Sequence, residues 1–192
     1  MRQNRYLFIF GVMFLCATAM AADDSKLFLS DGPTKEYADK LMLFGQLVGD
    51  WDIDYHAYLP DGSKVATKCE WHWRWGLDGR AVVDSFICPS RTERLKPGAP
   101  KGEWGITVRY YEPTIDAWRI AFVGPAYNHL DVLTAHKVQD TIVLEGTNAD
   151  KSLNRWIFSE ITPRSFHWRG FKSSDEGKTW SLLEEMFVHR AS

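Results

Sequence analysis

Several side chains that can take up or release a proton fall on positions that we predict to face the interior of a β-sheet. They are Tyr55, Asp84, Tyr110, His136, Glu160 and Glu184. A carboxyl group among tryptophan rings loses hydration, which raises its pKa towards neutrality, where it can act as an acid or a base. The three carboxylates and His136 are therefore candidate catalytic residues for an isomerase, lyase or cyclase of a small apolar substrate. In the alternative interpretation, these groups only satisfy one another or bind interior water.

Motifs that identify common enzyme classes do not occur in the chain. There is no Gly-x-Ser-x-Gly nucleophile elbow, no His-Glu-x-x-His, no glycine-rich phosphate loop and no Cys-x-x-Cys. His129 and His136 are a weak indication of a metal site, because ordinary strand histidines are more frequent. We therefore expect no metal and no cofactor. A formal net charge of -2 with few basic clusters also argues against a nucleic-acid partner.

Aromatic side chains dominate the strand-like part of the chain, which contains all nine tryptophans. Trp and Tyr offer a large stacking area with few rotatable bonds. We therefore predict that the protein binds a small apolar or aromatic molecule. The candidate ligand-binding residues are Trp51, Tyr55, Trp71, Trp73, Trp75, Tyr110, Trp118, Trp156 and Trp168.

Three of these tryptophans each stand next to an arginine. The pairs are Trp118 with Arg119, Trp156 with Arg155, and Trp168 with Arg169. Because an arginine is seldom buried without a partner, we favour tryptophans that face inward and arginines that face solvent. The alternative places the arginines inside the fold, where they would bind an anionic ligand.

The first 21 residues have the features of a secretory signal peptide. Arg2 and Arg5 precede an apolar run, and Ala19 and Ala21 are small residues at the two cleavage positions. No later stretch approaches the ~20 apolar residues that a membrane-spanning helix requires. We therefore predict an exported protein, periplasmic or secreted, with no membrane span and a single domain over residues 22–192.

From residue 51 onward, apolar and polar residues alternate with the period of two that is typical of strands. Turn signals divide this part into ten strand-like runs. The runs are residues 51–59, 64–75, 80–88, 104–111, 117–123, 130–138, 141–145, 154–161, 165–172 and 180–190. Before them, Ser30 or Asp31 can cap a short helix that ends between residues 45 and 49. We therefore predict an all-β fold, an up-and-down antiparallel barrel of about ten strands with one short N-terminal helix.

Turn chemistry predicts which side chains share a face in the first hairpin. Pro60 has no N–H, so a three-residue loop over residues 60–62 is better than a two-residue turn. In this register Trp51 lies opposite Trp71. The side chains directed inward are then Trp51, Ile53, Tyr55, Trp71, Trp73 and Trp75.

Two cysteines remain after removal of the leader, Cys69 and Cys88, and an exported chain is expected to oxidise them. A two-residue turn at Asp78 and Gly79 places the cysteines opposite each other on one face of a hairpin. Simple counting puts them at a hydrogen-bonded position, with Cα atoms ~5.5 Å apart, and the bond would add about 3 kcal/mol of stability. A three-residue loop over residues 77–79 would instead put the cysteines on opposite faces.

The tripeptide at residues 49–51, Gly-Asp-Trp, resembles the Gly-x-Trp that opens the first strand of lipocalin-type barrels. Together with residues 47–51, 76–80, 109–111 and 173–180, it makes the chain similar to a bacterial family of exported calycin or lipocalin-like domains of unknown function. The resemblance implies a calycin-type barrel but no reaction. It also implies that Arg190, near the end of the last strand, closes the barrel by packing on Trp51 as a cation–π pair.

A rival interpretation comes from ten-stranded haem barrels of the nitrobindin type, which bind iron through a histidine near the C-terminus. His189 lies at a comparable position. Neighbouring residues of a strand point to opposite faces, so only one of His189 and Arg190 can face inward. The Gly-x-Trp motif favours Arg190, and haem remains the alternative cofactor hypothesis.

Residues 173–180 match the Asp-box of sialidase propellers, Ser-x-Asp-x-Gly-x-Thr-Trp. A propeller needs several copies and this chain has one, so we interpret the motif as a clip for a single hairpin. The one long loop, residues 90–102, is interpreted as a solvated rim, with a lid over the barrel as the alternative.

Overall fold

The computed structural model describes residues 28–192, and the predicted signal peptide lies outside the described residues. Helix α1 spans Ala38–Gly45, and a short 3-10 turn lies at Glu93–Leu95. The strands are β1 Leu29–Ser30, β2 Gly49–Tyr58, β3 Lys64–Gly76, β4 Ala81–Cys88, β5 Glu103–Glu112, β6 Ala117–Gly124, β7 His129–Val138, β8 Thr141–Thr147, β9 Leu153–Ser159, β10 Ser165–Ser173 and β11 Ser181–Arg190.

Strands β2 to β11 close a single antiparallel barrel of ten strands. Each strand pairs with the next along the chain, and β11 pairs with β2, where Arg190 lies opposite Trp51. The short β1 adds to the end of β3. The predicted all-β, up-and-down barrel is therefore confirmed, and each predicted strand begins and ends within two residues of the observed one.

The β2–β3 hairpin has the predicted register. The N–H of Leu59 donates to the carbonyl of Ser63 over 2.9 Å, and Gly62 adopts a left-handed φ of 83°. Trp51 lies opposite Trp71, and both side chains are buried. The alternation of inward and outward residues predicted for these two strands is confirmed.

The β3–β4 hairpin turns at Asp78 and Gly79, whose φ values of 58° and 73° are those of a type I′ turn. This register brings Cys69 opposite Cys88, and the two cysteines form a disulfide with Cα atoms 4.5 Å apart. That separation is typical of a non-hydrogen-bonded pair, so the expected ~5.5 Å of a hydrogen-bonded position is wrong. The predicted pairing of the two cysteines is confirmed, and the three-residue loop is wrong.

Helix α1 fills one end of the barrel, which we call the closed end. The side chain of Phe44, 0% exposed, packs between inward-facing rings, with centroid distances of 5.0 Å to Trp118 and 5.9 Å to Phe158. The helix begins at Ala38 and not near Ser30 as predicted, because Ser30 belongs to β1 and its hydroxyl accepts a hydrogen bond from Gly79 N–H over 2.9 Å. The helix is thus held by contacts of the preceding segment with the β3–β4 turn.

Arg190 seals the same end. Its guanidinium lies 3.7 Å from the centre of the Trp51 ring and donates to the carbonyl of Val48 over 2.9 Å. The indole N–H of Trp51 donates in turn to the carbonyl of Leu47 over 2.7 Å. The predicted cation–π pair is therefore confirmed, and His189, one residue earlier, lies on the outer face opposite Asp52.

Residues 173–180 form a self-contained turn between β10 and β11. The hydroxyl of Ser173 accepts from Gly177 N–H over 2.9 Å, and Asp175 accepts from both the N–H and the hydroxyl of Thr179. These bonds from Thr179 hold the pKa of Asp175 at about 2. The indole N–H of Trp180 closes the turn on the carbonyl of Gly177 at 3.1 Å, so the motif acts as the predicted hairpin clip.

The loop between β4 and β5 runs along the outer wall of the barrel. Arg91 forms an ion pair of 2.7 Å with Glu70 on the outer face of β3. A groove of about 770 Å³ lies between this part of the loop and the outer faces of β2 and β3. These contacts favour the rim interpretation of residues 90–102 over the lid.

Candidate functional site

We call the end of the barrel opposite α1 the mouth. Side chains here face the barrel interior but remain partly exposed, which distinguishes them from the buried residues around α1. They are Tyr55, Thr67, Phe86, Phe122, Asp131, Asn154, Trp156 and Glu184. The mouth therefore combines aromatic rings with two carboxylates.

Tyr55 on β2 and Glu184 on β11 form the central polar contact of the mouth. The phenol of Tyr55 donates to Oε2 of Glu184 over 2.8 Å. Burial raises the pKa of Glu184, and the negative charge of Asp131 raises it further, while Tyr55 and His129 oppose the shift. Burial and the adjacent carboxylate also raise the pKa of Tyr55. Glu184 thus retains a proton at higher pH than a solvated glutamate, the property required of an acid or base near neutrality.

Asp131 enters the mouth from β7, opposite Phe122 on β6. Burial raises the pKa of this carboxyl, while His129 and Asn154 oppose the rise. The amide of Asn154 lies 3.4 Å from Oδ1 of Asp131, which is a weak hydrogen bond. Asp131 and Glu184 are therefore two carboxylates that face the mouth, each with one hydrogen-bond partner.

Aromatic rings form one wall of the mouth. Trp156 packs against Phe122 at a centroid distance of 6.1 Å and against Trp168 at 5.7 Å. Gly170 lies beneath them, where an added Cβ would come within 2.8 Å of Trp168 and 3.0 Å of Glu184. A side chain at this position would therefore displace the indole of Trp168 or the Cγ of Glu184.

Asp84, another predicted catalytic residue, lies deeper in the barrel, where its carboxylate is bonded to other side chains. It is buried, accepts from the indole of Trp71 over 2.6 Å and from the hydroxyl of Thr107 over 3.1 Å, and forms an ion pair with the buried Arg109. Arg109 also lies 4.0 Å from the ring centre of Trp73. Desolvation raises the pKa of Asp84, and Arg109 opposes that rise. Both carboxylate oxygens of Asp84 are thus bonded to side chains of the barrel, which indicates a structural role.

The other three polar positions predicted to face inward do not. Tyr110 is 48% exposed on the outer face, because the β4–β5 pairing turns Arg109 and Tyr111 to the interior. His136 is exposed because its neighbour Ala135 faces the core. Glu160 lies beyond the end of β9, exposed, with a left-handed φ of 55°. The expectation that these three share an interior with Glu184 is wrong.

Most of the tryptophans proposed as ligand-binding residues lie in the packed core around α1. These are Trp51, Trp71, Trp73, Trp75, Trp118 and Trp168. Trp156 is the member of that set that lines the mouth and stays partly exposed. Arg119 and Arg155 face outward in ion pairs with Glu112 and Glu145, so the interpretation with arginines outside is confirmed for them.

Sequence reasoning missed Arg109 and Asp131. Asp131 stands between Leu130 and Val132, which are 70% and 63% exposed, so the usual pattern of apolar residues inside is inverted at this point. A single acid flanked by two aliphatic residues was the available signal. The inward direction of Arg109 follows from the register across an irregular loop, which the sequence pattern does not specify.

Within residues 28–192, no group of three or more His, Cys, Asp or Glu side chains could hold a metal ion. The outward direction of His189 also means that this histidine offers no ligand to a haem inside the barrel. No helix of the described part of the chain is long and apolar enough to cross a membrane.

Comparisons with solved structures agree with this architecture. The S-type phycobiliprotein lyase CPES from Guillardia theta superposes with a TM-score of 0.56 at 12% identity, over 83% of this chain and 99% of the lyase. Rv2717c from M. tuberculosis superposes with a TM-score of 0.54 at 14% identity, over 81% of this chain and 99% of its own. The fold is that of the calycin-like barrels. At these identities the likeness concerns the fold alone. No protein-family model and no curated protein sequence matches the chain.

Proposed function

We propose that the protein is exported and binds a small apolar or aromatic molecule in the mouth of its barrel. One observation carries the proposal: the rings of Phe86, Phe122 and Trp156 face the interior yet stay partly exposed, while the closed end is filled by Phe44. Apolar surface left accessible inside a barrel is available to a guest, and barrels of this size hold one small ligand. A calycin-like neighbour named as a phycobiliprotein lyase gives the proposal further support.

The test uses a fluorescent apolar probe, N-phenyl-1-naphthylamine, and a matched pair of tryptophan variants. Trp156→Ala removes a ring of the mouth, and Trp104→Ala removes an exposed ring of the outer face. We expect the wild-type protein and Trp104→Ala to bind the probe equally and Trp156→Ala to bind about 10-fold more weakly, the scale of one stacking interaction. Equal binding by both variants, or no binding by the wild type, would contradict the proposal. Native mass spectrometry of protein from its own host would then define the natural ligand by mass.

A second candidate function is acid–base catalysis on a small apolar substrate in the same mouth. The hydrogen bond between Tyr55 and Glu184 favours it, because it holds a carboxyl of raised pKa beside a phenol in an apolar space. With an isomerisable substrate in hand, Glu184→Gln should abolish turnover and leave binding intact. His136→Ala, on the outer face, is the matched control and should keep full activity. Turnover retained in Glu184→Gln would remove the candidate.

Export is the part of the proposal that concerns residues 1–21. The disulfide between Cys69 and Cys88 supports it, since such bonds persist mainly in oxidising compartments. Protein recovered from the periplasm or medium should begin near Ala22 by N-terminal sequencing. Recovery of the full-length chain from the cell interior would contradict export.

A further inference from the structure

We propose that the outer face of strands β4 to β7 is an interface between two copies of this chain. These four neighbouring strands present uncharged, mostly apolar side chains to solvent. The inference goes beyond ligand binding in the mouth and does not depend on it, because the interface lies on the outside of the barrel.

Strand pairing aligns the outward side chains of this region in two rows across the four strands. The first row is Ser85, Ile106, Val123 and Leu130, and the second is Val83, Val108, Ala121 and Val132. The indole N–H of Trp104 donates to the hydroxyl of Ser85 over 3.0 Å, so its ring lies beside the first row. We call these nine residues the apolar wall. All of them are uncharged, so the wall offers no charge by which to select a charged partner.

Exposure of the apolar wall is highest on β7, where the usual alternation is reversed. Leu130 and Val132 are 70% and 63% exposed, while Asp131 between them faces the interior. The other strongly exposed members are Trp104 at 53%, Ile106 at 50% and Val123 at 41%. These five side chains expose roughly 600 Å² of mostly apolar surface, which is the upper limit of the patches that monomers usually show. The wall therefore requires a partner that covers it.

The size and shape of the apolar wall fit a second copy of the chain. An interface of standard size buries about 800 Å² on each partner. The five exposed side chains, together with the half-buried ones between them, approach that area. Two sheet faces pack with their rows interdigitated, as in a β-sandwich, and two copies related by a two-fold axis present the same face to each other.

The charges around the apolar wall also favour a second copy. Two identical neutral faces bring no like charges together at the centre of the interface. At the borders, Arg119 pairs with Glu112 at 2.7 Å, and Arg94 donates to the carbonyl of Pro89 over 2.8 Å. An anionic membrane attracts clustered lysine and arginine, and the two rows contain neither. Export would leave residues 22–27, Ala-Ala-Asp-Asp-Ser-Lys, before the described part, and this segment is too polar to cover the wall.

The test measures the oligomeric state of the exported protein by sedimentation velocity, from about 1 to 100 µM. We expect a dimer with a dissociation constant of about 10 µM or tighter, as for an interface of this size. A protein that stays monomeric at the highest concentration would overturn the inference and leave ligand binding in the mouth intact. A monomer that also floats with phosphatidylcholine vesicles would assign the wall to a lipid surface and overturn the inference as well.

A matched pair of variants on β7 locates the interface. Val132→Glu places a carboxylate in the apolar wall, and Val138→Glu places the same group on the same face of the strand, outside the wall and 49% exposed in the wild type. We expect Val132→Glu to weaken dimerisation at least about 100-fold, because each dimer would bury two carboxylates. Val138→Glu should leave the dimer unchanged. A dimer that persists in Val132→Glu would place the interface elsewhere and overturn the assignment.

A milder variant keeps the test decisive if Val132→Glu fails to fold. Val132→Thr keeps the shape of valine and a high strand propensity but adds a hydroxyl group. It should weaken dimerisation several-fold, because the hydroxyl would lose its water in the interface. The matched Val138→Thr should not change the dimer. Equal dimerisation by Val132→Thr and the wild type would argue that Val132 lies outside the interface and overturn the assignment.

Discussion

Two inward-facing carboxylates of this barrel, Asp84 and Glu184, differ in the number of hydrogen-bond and ion-pair partners that the barrel supplies. Asp84 meets a guanidinium, an indole N–H and a hydroxyl, all from the barrel itself. Glu184 accepts one hydrogen bond, from the phenol of Tyr55. The barrel thus supplies three partners for Asp84 and one hydrogen bond for Glu184, although Trp73 Nε1 and Arg109 Nε near Asp84 are buried without a hydrogen-bond partner in the described part of the chain.

This difference distinguishes a carboxylate with a structural role from one that is available to a ligand. Buried polar groups that are fully paired give a protein its single packed state, whereas groups left partly unpaired at an open end are available to a ligand. Both carboxyls are shifted towards higher pKa by burial, so the shift alone does not distinguish them. The two carboxyls are distinguished by the number of partners that the barrel supplies to each.

The largest loss of stability should come from breaking the buried ion pair of Asp84 and Arg109. Asp84→Asn removes the charge that faces Arg109 and leaves a buried guanidinium unpaired, so we expect a loss of about 3–5 kcal/mol in the free energy of unfolding. Urea unfolding measures this loss. The corresponding change at the mouth, Glu184→Gln, leaves no cation unpaired and is the matched control. A loss at Asp84 no larger than at Glu184 would mean that the two sites do not differ as described.

A pair of phenylalanines tests the same contrast in packing. Phe44→Ala removes the side chain that α1 inserts among Trp73, Trp118 and Phe158, and should cost about 3–5 kcal/mol. Phe122→Ala, in the partly exposed mouth, should cost less than half as much, because its ring already touches solvent. Thermal and urea unfolding of the two variants give the comparison. Equal losses would show that the mouth is packed as tightly as the closed end.

Strands β2, β3 and β4 are the part of the barrel that the sequence predicts best. Turn chemistry at Pro60 and at Asp78 and Gly79 sets the pairing of β2, β3 and β4, so Trp51, Trp71 and the disulfide could be placed from local rules. The inward direction of Arg190 could be predicted because neighbouring strand residues point to opposite faces, and the Gly-x-Trp motif favours Arg190 over His189 as the inward residue. Each of these inferences depends on short, regular connections.

The mouth was harder to predict because its residues come from strands whose register depends on long-range pairing. β5 follows the irregular loop of residues 90–102, so counting from β4 does not reveal that Tyr110 faces outward. On β7 the exposed Leu130 and Val132 flank an inward Asp131, the reverse of the usual alternation. Glu184 was identified as a candidate and Asp131 was not, because a site assembled across the barrel has no local pattern.

Arg190 offers a third, smaller test at the closed end. Arg190→Ala removes the cation from the face of Trp51 and a hydrogen bond to the carbonyl of Val48. We expect a loss of about 1–2 kcal/mol, the range of a partly buried cation–π pair with a hydrogen bond. Arg119→Ala, which breaks an exposed ion pair with Glu112, should cost clearly less, because solvent screens exposed ion pairs, and it serves as the control. Similar losses in melting experiments would argue against a sealing role for Arg190.

The smallest predicted effect is a gain in stability and not a loss. Because the pKa of Glu184 is raised in the folded barrel, the folded state holds its proton at pH values where the unfolded chain, with a glutamate pKa of about 4.3, has released it. Stability therefore falls as pH rises from the unfolded pKa to the folded pKa, and stays at the lower level above it. Glu184→Gln removes this loss and still accepts from Tyr55, so the variant should be slightly more stable than the wild type at pH 7–8 and equal to it below about pH 4. Urea unfolding across this pH range measures the difference, and Asp131→Asn should act in the same direction. A Glu184→Gln protein that is less stable at every pH would show that the mouth, like the site at Asp84, is completed by the barrel itself.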